Sequence, residues 1–244
     1  GLVKPVALRV ISAIALVVAV LVHSVTAWIF GLQIAHEFWH TALLAPWFVS
    51  SALVCGTALV MIVVIALRKV GYMELDQKYV EKLAKMLGAF CMVDLYFFGC
   101  DLLTAGFPGG EGAEIVSMLV SGPLAPFFWA EIICTILAAV VCFVPSARKN
   151  GFLVGASVLA IVAIFCKRFQ LLVGGFQIPN LDLPGVVSSL TITNWESAWA
   201  GAYQGLVYAP TALEFGVMLG VIGLGALLLL IGLKRLPLKP SEDK

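Results

Sequence analysis

The stretch AIFCKRFQLLVGG, residues 163–175, sets two adjacent cations, Lys167 and Arg168, inside an apolar run. The run otherwise reads as a membrane-spanning helix. A charge at the centre of a bilayer costs ~2.5–3.5 kcal/mol on insertion scales. A chain that accepts this twice in succession must compensate both charges inside the protein, so the segment predicts a membrane bundle with a polar interior.

The rest of the chain agrees. Of 244 residues, 61% are hydrophobic and 12% charged, and the mean hydropathy is +1.05. Apolar stretches of ~20 residues are transmembrane helices. Six are present: helix A at about Pro5–Leu32, B at Pro46–Val70, C at Ala84–Ala105, D at Val116–Val144, E at Gly151–Gly175 and F at Pro210–Leu233. Backbone groups in lipid must be satisfied within each segment, which makes helices the natural solution. The expected fold is all-α and polytopic, a single integral membrane domain over residues 1–244. The net charge of +1 gives no electrostatic case for a nucleic-acid partner; lipid is the expected surrounding.

Thirteen of the fifteen basic residues fall on one side. They are Lys4 and Arg9 before or in A, Arg68, Lys69, Lys78, Lys82 and Lys85 around the B–C connection, Arg148 and Lys149 between D and E, and Lys234, Arg235, Lys239 and Lys244 after F. The A–B, C–D and E–F loops hold none. The positive-inside rule then places both termini in the cytoplasm, and six spans require the same parity. A multi-pass protein of the cytoplasmic membrane follows. The opposite, outer side is aromatic: Trp39, Trp195, Trp199, Tyr203 and Tyr208 in its loops, Trp28 and Trp47 at helix ends. Such rings favour the headgroup level. The E–F connection, residues 176–209, is a long outer-face loop that packs across that face or docks a partner.

The other intramembrane ionisable residues are His23 on A, Asp94 and Asp101 on C, Glu131 on D and Glu214 at the start of F. Asp94 and Asp101 are seven apart and share one face. The simplest arithmetic is four carboxylates around two cations, since opposite charges hold each other ionised while unpaired buried groups neutralise. From the direction of each helix, this set runs from the outer surface to mid-depth and no further. It predicts an outer-facing proton path, or a set of buried ion pairs that fixes helix packing. His23 lies ~14 Å inside the outer end of A at 1.5 Å per residue, beside Ser24, Thr26 and Trp28. An imidazole there can exchange a proton at physiological pH.

Other motifs carry less. Cys55, Cys91, Cys100, Cys134, Cys142 and Cys166 form no C-x-x-C and all fall in apolar segments, so they read as small buried hydrophobes and not as iron–sulfur, zinc or haem ligands. His36 and His40 flank Glu37 without metalloprotease spacing and read as outer-interface residues. FPGGEGAE and LVGGFQIP read as outer turns. Pro123 and Pro126 are expected to kink D near Glu131.

The stretch VHSVTAWIFGLQIAHEFWHTALLAPWFVSSALVCGTALV, residues 22–60, resembles the NrfD/PsrC family of quinone-interacting respiratory membrane subunits, as do KRFQLLVGGFQIP (167–179) and YAPTALEFGVMLG (208–220). Within the family the chain is most similar to the membrane subunits of sulfite-reductase-associated complexes. The resemblance implies two four-helix bundles, of which helices B–E make up one with the others flanking, and further N-terminal spans before Gly1. It implies electron exchange between menaquinone, bound as substrate, and an iron–sulfur subunit docked on the outer face, alongside other membrane and cytochrome subunits, with no haem or cluster in this chain. It places the quinone head against His23, Ser24 and Trp28. The competing readings are a secondary transporter with a midplane substrate site, which predicts internal repeats with broken helices, and a cofactor-free membrane anchor.

Overall fold

The computed structural model describes residues 5–34, 38–177 and 211–235. They form seven α-helices and one short 3-10 turn: α1 Pro5–Gly31, α2 Leu44–Lys69, α3 Gln77–Gly106, α4 Glu111–Ser121, α5 Ala125–Phe143, the turn Pro145–Ala147, α6 Asn150–Gln177 and α7 Ala212–Arg235. Six of them, all but α4, are long and apolar enough to cross a membrane. The expected all-α, six-span fold is borne out.

Helices α2, α3, α5 and α6 close into a four-membered ring, each packing on two neighbours: α2 on α3 and α6, α5 on α3 and α6. These are spans B–E. Small residues let their axes approach: Ala58, Ala84, Ala138, Ala139, Ala156 and Ala160 are all buried in one cluster, as expected where van der Waals packing replaces a hydrophobic driving force. At Gly88 on α3 the approach is tight, because a Cβ there would lie 3.0 Å from the Phe143 ring and 3.2 Å from Cys142 Cβ. A second cluster, rich in aromatic residues, fills the other end of the ring with Trp39, Trp47, Phe48, Phe98 and Phe128. Helix α1 packs on α2 through a narrow stripe containing the buried Ser24 and Ala27, while the rest of it is largely exposed. Helix α7 is tethered near its C-terminal end, where Tyr72 Oη donates to the Leu233 carbonyl at 2.6 Å.

Among the described residues, the basic side chains at the helix ends gather on one side. Arg68 and Lys69 close α2, Lys78 and Lys82 open α3, and Arg148 and Lys149 join α5 to α6. Lys234 and Arg235 close α7. Helix α3 starts seven residues before the hydropathic span because its first turns are amphipathic. Val80 and Ala84 are buried while Lys78 and Lys82 lie over the exposed Tyr79 ring, 5.1 and 5.7 Å from its centroid. Arg148 folds back to cap α5, Nε donating to the Cys142 carbonyl at 2.8 Å and Nη2 to that of Phe143 at 2.7 Å, which satisfies acceptors a helix end leaves open.

The span expected as one kinked helix D is instead two helices. Gly109 and Gly110 turn with φ of 81° and 65° and α4 starts at Glu111, so FPGGEGAE is half turn and half helix. Gly122 is extended at the end of α4 and Pro123, lacking an N–H, cannot continue it. Pro126 sits in the first turn of α5, where it costs no hydrogen bond. Glu131 therefore lies on a regular helix and not on a loosened one. Helix α4, only 11 residues, packs on α3 and α5 at the end of the bundle away from the basic residues. The expected outer loop falls outside the described residues from 178 to 210, as do His36 and Glu37.

Candidate functional site

At the junction of the two core clusters, each helix of the ring contributes a polar side chain. Lys167 of α6 is paired with Asp94 of α3, and its Nζ is 3.6 Å from Glu131 Oε1 of α5. The three side chains are 4%, 2% and 3% exposed, so the ammonium exchanges its hydration shell for carboxylates. Ser50 of α2 lies 2.7 Å from Asp94 Oδ1 and shares its proton with the Trp47 carbonyl at 3.0 Å. Gln170, one turn beyond Lys167, donates Nε2–H to Glu131 Oε2 at 2.9 Å and to the Cys166 carbonyl at 3.2 Å. The Trp47 ring covers Lys167 Nζ at 4.6 Å from its centroid. Partners of this kind are what make a buried ion pair tolerable, since Coulomb attraction alone seldom repays desolvation.

Arg168 does not join this set. Successive helical residues point about 100° apart, so Lys167 and Arg168 cannot face the same carboxylates. Arg168 turns to the seam of α2 and α6, where Nη2 donates to Ser51 Oγ at 2.7 Å and Cζ lies 3.6 Å from the Phe48 ring centroid. The expectation of four carboxylates around two cations is thus corrected to two carboxylates around one. Glu214 is also elsewhere. It is exposed in the first turn of α7, where Thr211 N–H donates to its Oε2 at 2.6 Å and its own N–H faces Thr211 Oγ1 at 3.4 Å. Those two bonds make a capping box at the start of α7, and the side chain is not buried with Lys167.

Beside the cluster lies a cavity of about 160 Å³. Its inner end is formed by Glu131, Lys167, Gln170 and Trp47 and its other end by His40, Thr41, Asp101 and Thr104, and the wall between includes Phe38, Phe98, Ala105 and Leu171. Asp101 is half-buried, two turns beyond Asp94 on the same face of α3, with Thr41 beside it. The Trp47 indole N–H has no hydrogen-bond partner among the described residues. A cavity near 150 Å³ is known to hold a single aromatic ring, so the volume suits one ring or a few waters. His23, Ser24 and Trp28 are not part of it. Ser24 bonds to the Val20 carbonyl at 2.8 Å, and His23 and Trp28 lie exposed on α1.

A roof closes the site. Phe38 and Trp39 lie against Gly174 and Gly175 of α6, where a Cβ on either glycine would overlap their rings. Trp39 Nε1 donates to the Leu171 carbonyl at 2.7 Å. On the other side α4 docks on α3 through Gly112, where a Cβ would overlap the Ala105 carbonyl.

The fold and site define a polytopic membrane protein built on a four-helix bundle, with a desolvated ion cluster at the inner end of a cavity walled by apolar and polar side chains. The family model for polysulphide reductase, NrfD, matches residues 2–180, so the chain belongs to the NrfD family. It is 30% identical over 230 residues to a putative membrane subunit of dimethyl sulfoxide reductase from Halobacterium salinarum, covering 92% of this chain and 52% of that one. It is 27% identical over 243 residues to an Hdr-like menaquinol oxidoreductase integral membrane subunit of Archaeoglobus fulgidus, covering 97% and 59%. A menaquinone reductase integral membrane subunit of Nitratidesulfovibrio vulgaris is 26% identical over 213 residues, covering 81% and 45%. The chain thus spans about half the length of the curated relatives it matches.

Proposed function

We propose that this chain exchanges electrons between menaquinol and a partner subunit, and that the cavity above Lys167 receives the quinone head group. The observation that carries this reading is the cavity's lining: a space that admits the quinone ring, open toward His40, whose inner wall is a buried lysine, carboxylate and amide. The relatives named for menaquinol and menaquinone chemistry support the choice of ligand. On this reading the head group sits in the cavity and not against His23, Ser24 and Trp28, none of which lines it.

The chemistry follows from balance. Oxidation of a quinol releases two electrons and two protons. The electrons pass to an iron–sulfur subunit docked at the end opposite the basic residues. The protons need bases at the head group. Glu131 and Asp101 are the carboxylates on the cavity wall, and His40 stands exposed at its rim. Glu131 to Asp101 to His40 makes a proton path toward the outer face. Asp94 holds Lys167 in place and takes no proton in this scheme. In its finer form the proposal assigns the subunit to a sulfite-reductase-associated complex of the cytoplasmic membrane.

The test is binding of a fluorescent quinol analogue to the purified complex. Wild type should quench the analogue. Ala105→Phe, which fills the cavity from α3, should weaken binding at least tenfold, about 1.4 kcal/mol. Unchanged affinity in a folded Ala105→Phe complex would rule the cavity out as the head-group site.

A further inference from the structure

The proton and quinone chemistry leaves Arg168 unused. One of its five N–H groups donates to Ser51. Among the described residues no carboxylate lies within salt-bridge distance of it, and its other nitrogens are neither bonded nor sealed from the surface. Asp94 and Glu131 are within electrostatic range but use none of its donors. It lines no part of the cavity. Its neighbours on α6, Phe165 one turn before and Leu172 one turn after, are 55% and 43% exposed. The flank of α6 is therefore an apolar stripe bearing one cation.

Depth decides what can meet that cation. Arg168 lies ~7 Å beyond the midpoint of Asn150–Gln177 at 1.5 Å per residue, inside a hydrocarbon core ~30 Å thick. A long arginine ordinarily bends to the headgroups. This one is held at depth by the Ser51 hydroxyl and the Phe48 face, which lie on α2 at the same level. A phospholipid phosphate does not reach that level. An acidic side chain on a spanning helix does, and the planar guanidinium fork suits two-point contact with a carboxylate.

We propose that the α2–α6 seam is a docking surface for another membrane-spanning helix, one whose apolar face carries a single Asp or Glu that closes on Arg168. The partner is identified by that chemistry. The inference is independent of the quinone reading, because it concerns the side of the bundle and not its cavity.

The experiment places a benzophenone amino acid at Leu172 in the assembled complex. Irradiation should link it to a peptide from a spanning segment with an acidic residue within about one turn of the linkage. Arg168→Gln should lower the yield at least tenfold, and Arg168→Lys should retain part of it. If Arg168→Gln fails to assemble, exchanging the partner's carboxylate for its amide must give the same loss of yield. Adducts to lipid alone, to a second copy of this chain alone, or to a helix without an acidic residue would overturn the proposal. So would a yield indifferent to both substitutions.

Discussion

At the scale of single residues, Lys167 carries the polar interior. Removing it strands Asp94 and Glu131 in a dry bundle. Breaking a buried pair from one side costs ~3–5 kcal/mol, so Lys167→Met should lower the thermal midpoint of the purified protein more than any other single change in the cluster. Lys167→Met combined with Asp94→Leu should be less harmful than the sum of the two single changes, with a coupling of ~0.5–3 kcal/mol. Arg168→Gln should cost only about 1 kcal/mol of internal stability, since it loses one neutral acceptor. Much of this is legible in the residues. A cation in mid-span must find acids, and Asp94 and Glu131 are the acids at its depth. The division of labour between Lys167 and Arg168 is also present in principle, because neighbours on a helix diverge. The parts played by Ser50, Ser51 and Trp47 are not legible. A serine in an apolar helix ordinarily bonds its own backbone, and only the azimuth of α2 shows which of them turns to Asp94 and which to Arg168.

At the scale of elements, the cavity depends on three close approaches of backbone or ring to glycine, at Gly112, Gly174 and Gly175. Gly112→Ala should push α4 away from the Ala105 carbonyl. The expected result is weaker binding of a quinol analogue with the four-helix ring intact, measured as a raised dissociation constant at an unchanged helical circular-dichroism signal. Trp39→Phe keeps an aromatic ring against Gly175 but loses the bond to the Leu171 carbonyl, at about 1 kcal/mol. It should speed proteolysis of the 32–43 connection without altering the ring of helices. Both helix-breaking residues of span D, Gly122 and Pro123, are visible in the sequence. A hydropathy window averages across such a break, so α4 merges with α5 into one apparent kinked span. Trp39 has the sequence signature of a headgroup anchor, because a position in a loop gives no hint that Gly174 and Gly175, far along the chain, leave room for it.

At the scale of the molecule, ring closure by α2, α3, α5 and α6 puts every charged member of the buried cluster on the inside, and helix ends rich in lysine and arginine share one side. That segregation is the feature most directly legible in the sequence, since it needs only counting and parity. A green fluorescent protein fused after Arg235 should fluoresce, and alkaline phosphatase fused there should be inactive, if that side is cytoplasmic; the reverse pattern would invert the proposed proton path. The largely bare surfaces of α1 and α7 suit contact with lipid or with further helices.

The proposed function turns on a quinone head group meeting the buried Lys167 cluster. An electron-microscopy density map of the assembled complex with a bound menaquinone analogue would show this outright. Ring density should lie between Asp101 and Lys167, within hydrogen-bond reach of Lys167, Gln170 or Glu131. Ring density against the His23 face of α1, with the cavity holding none, would contradict it.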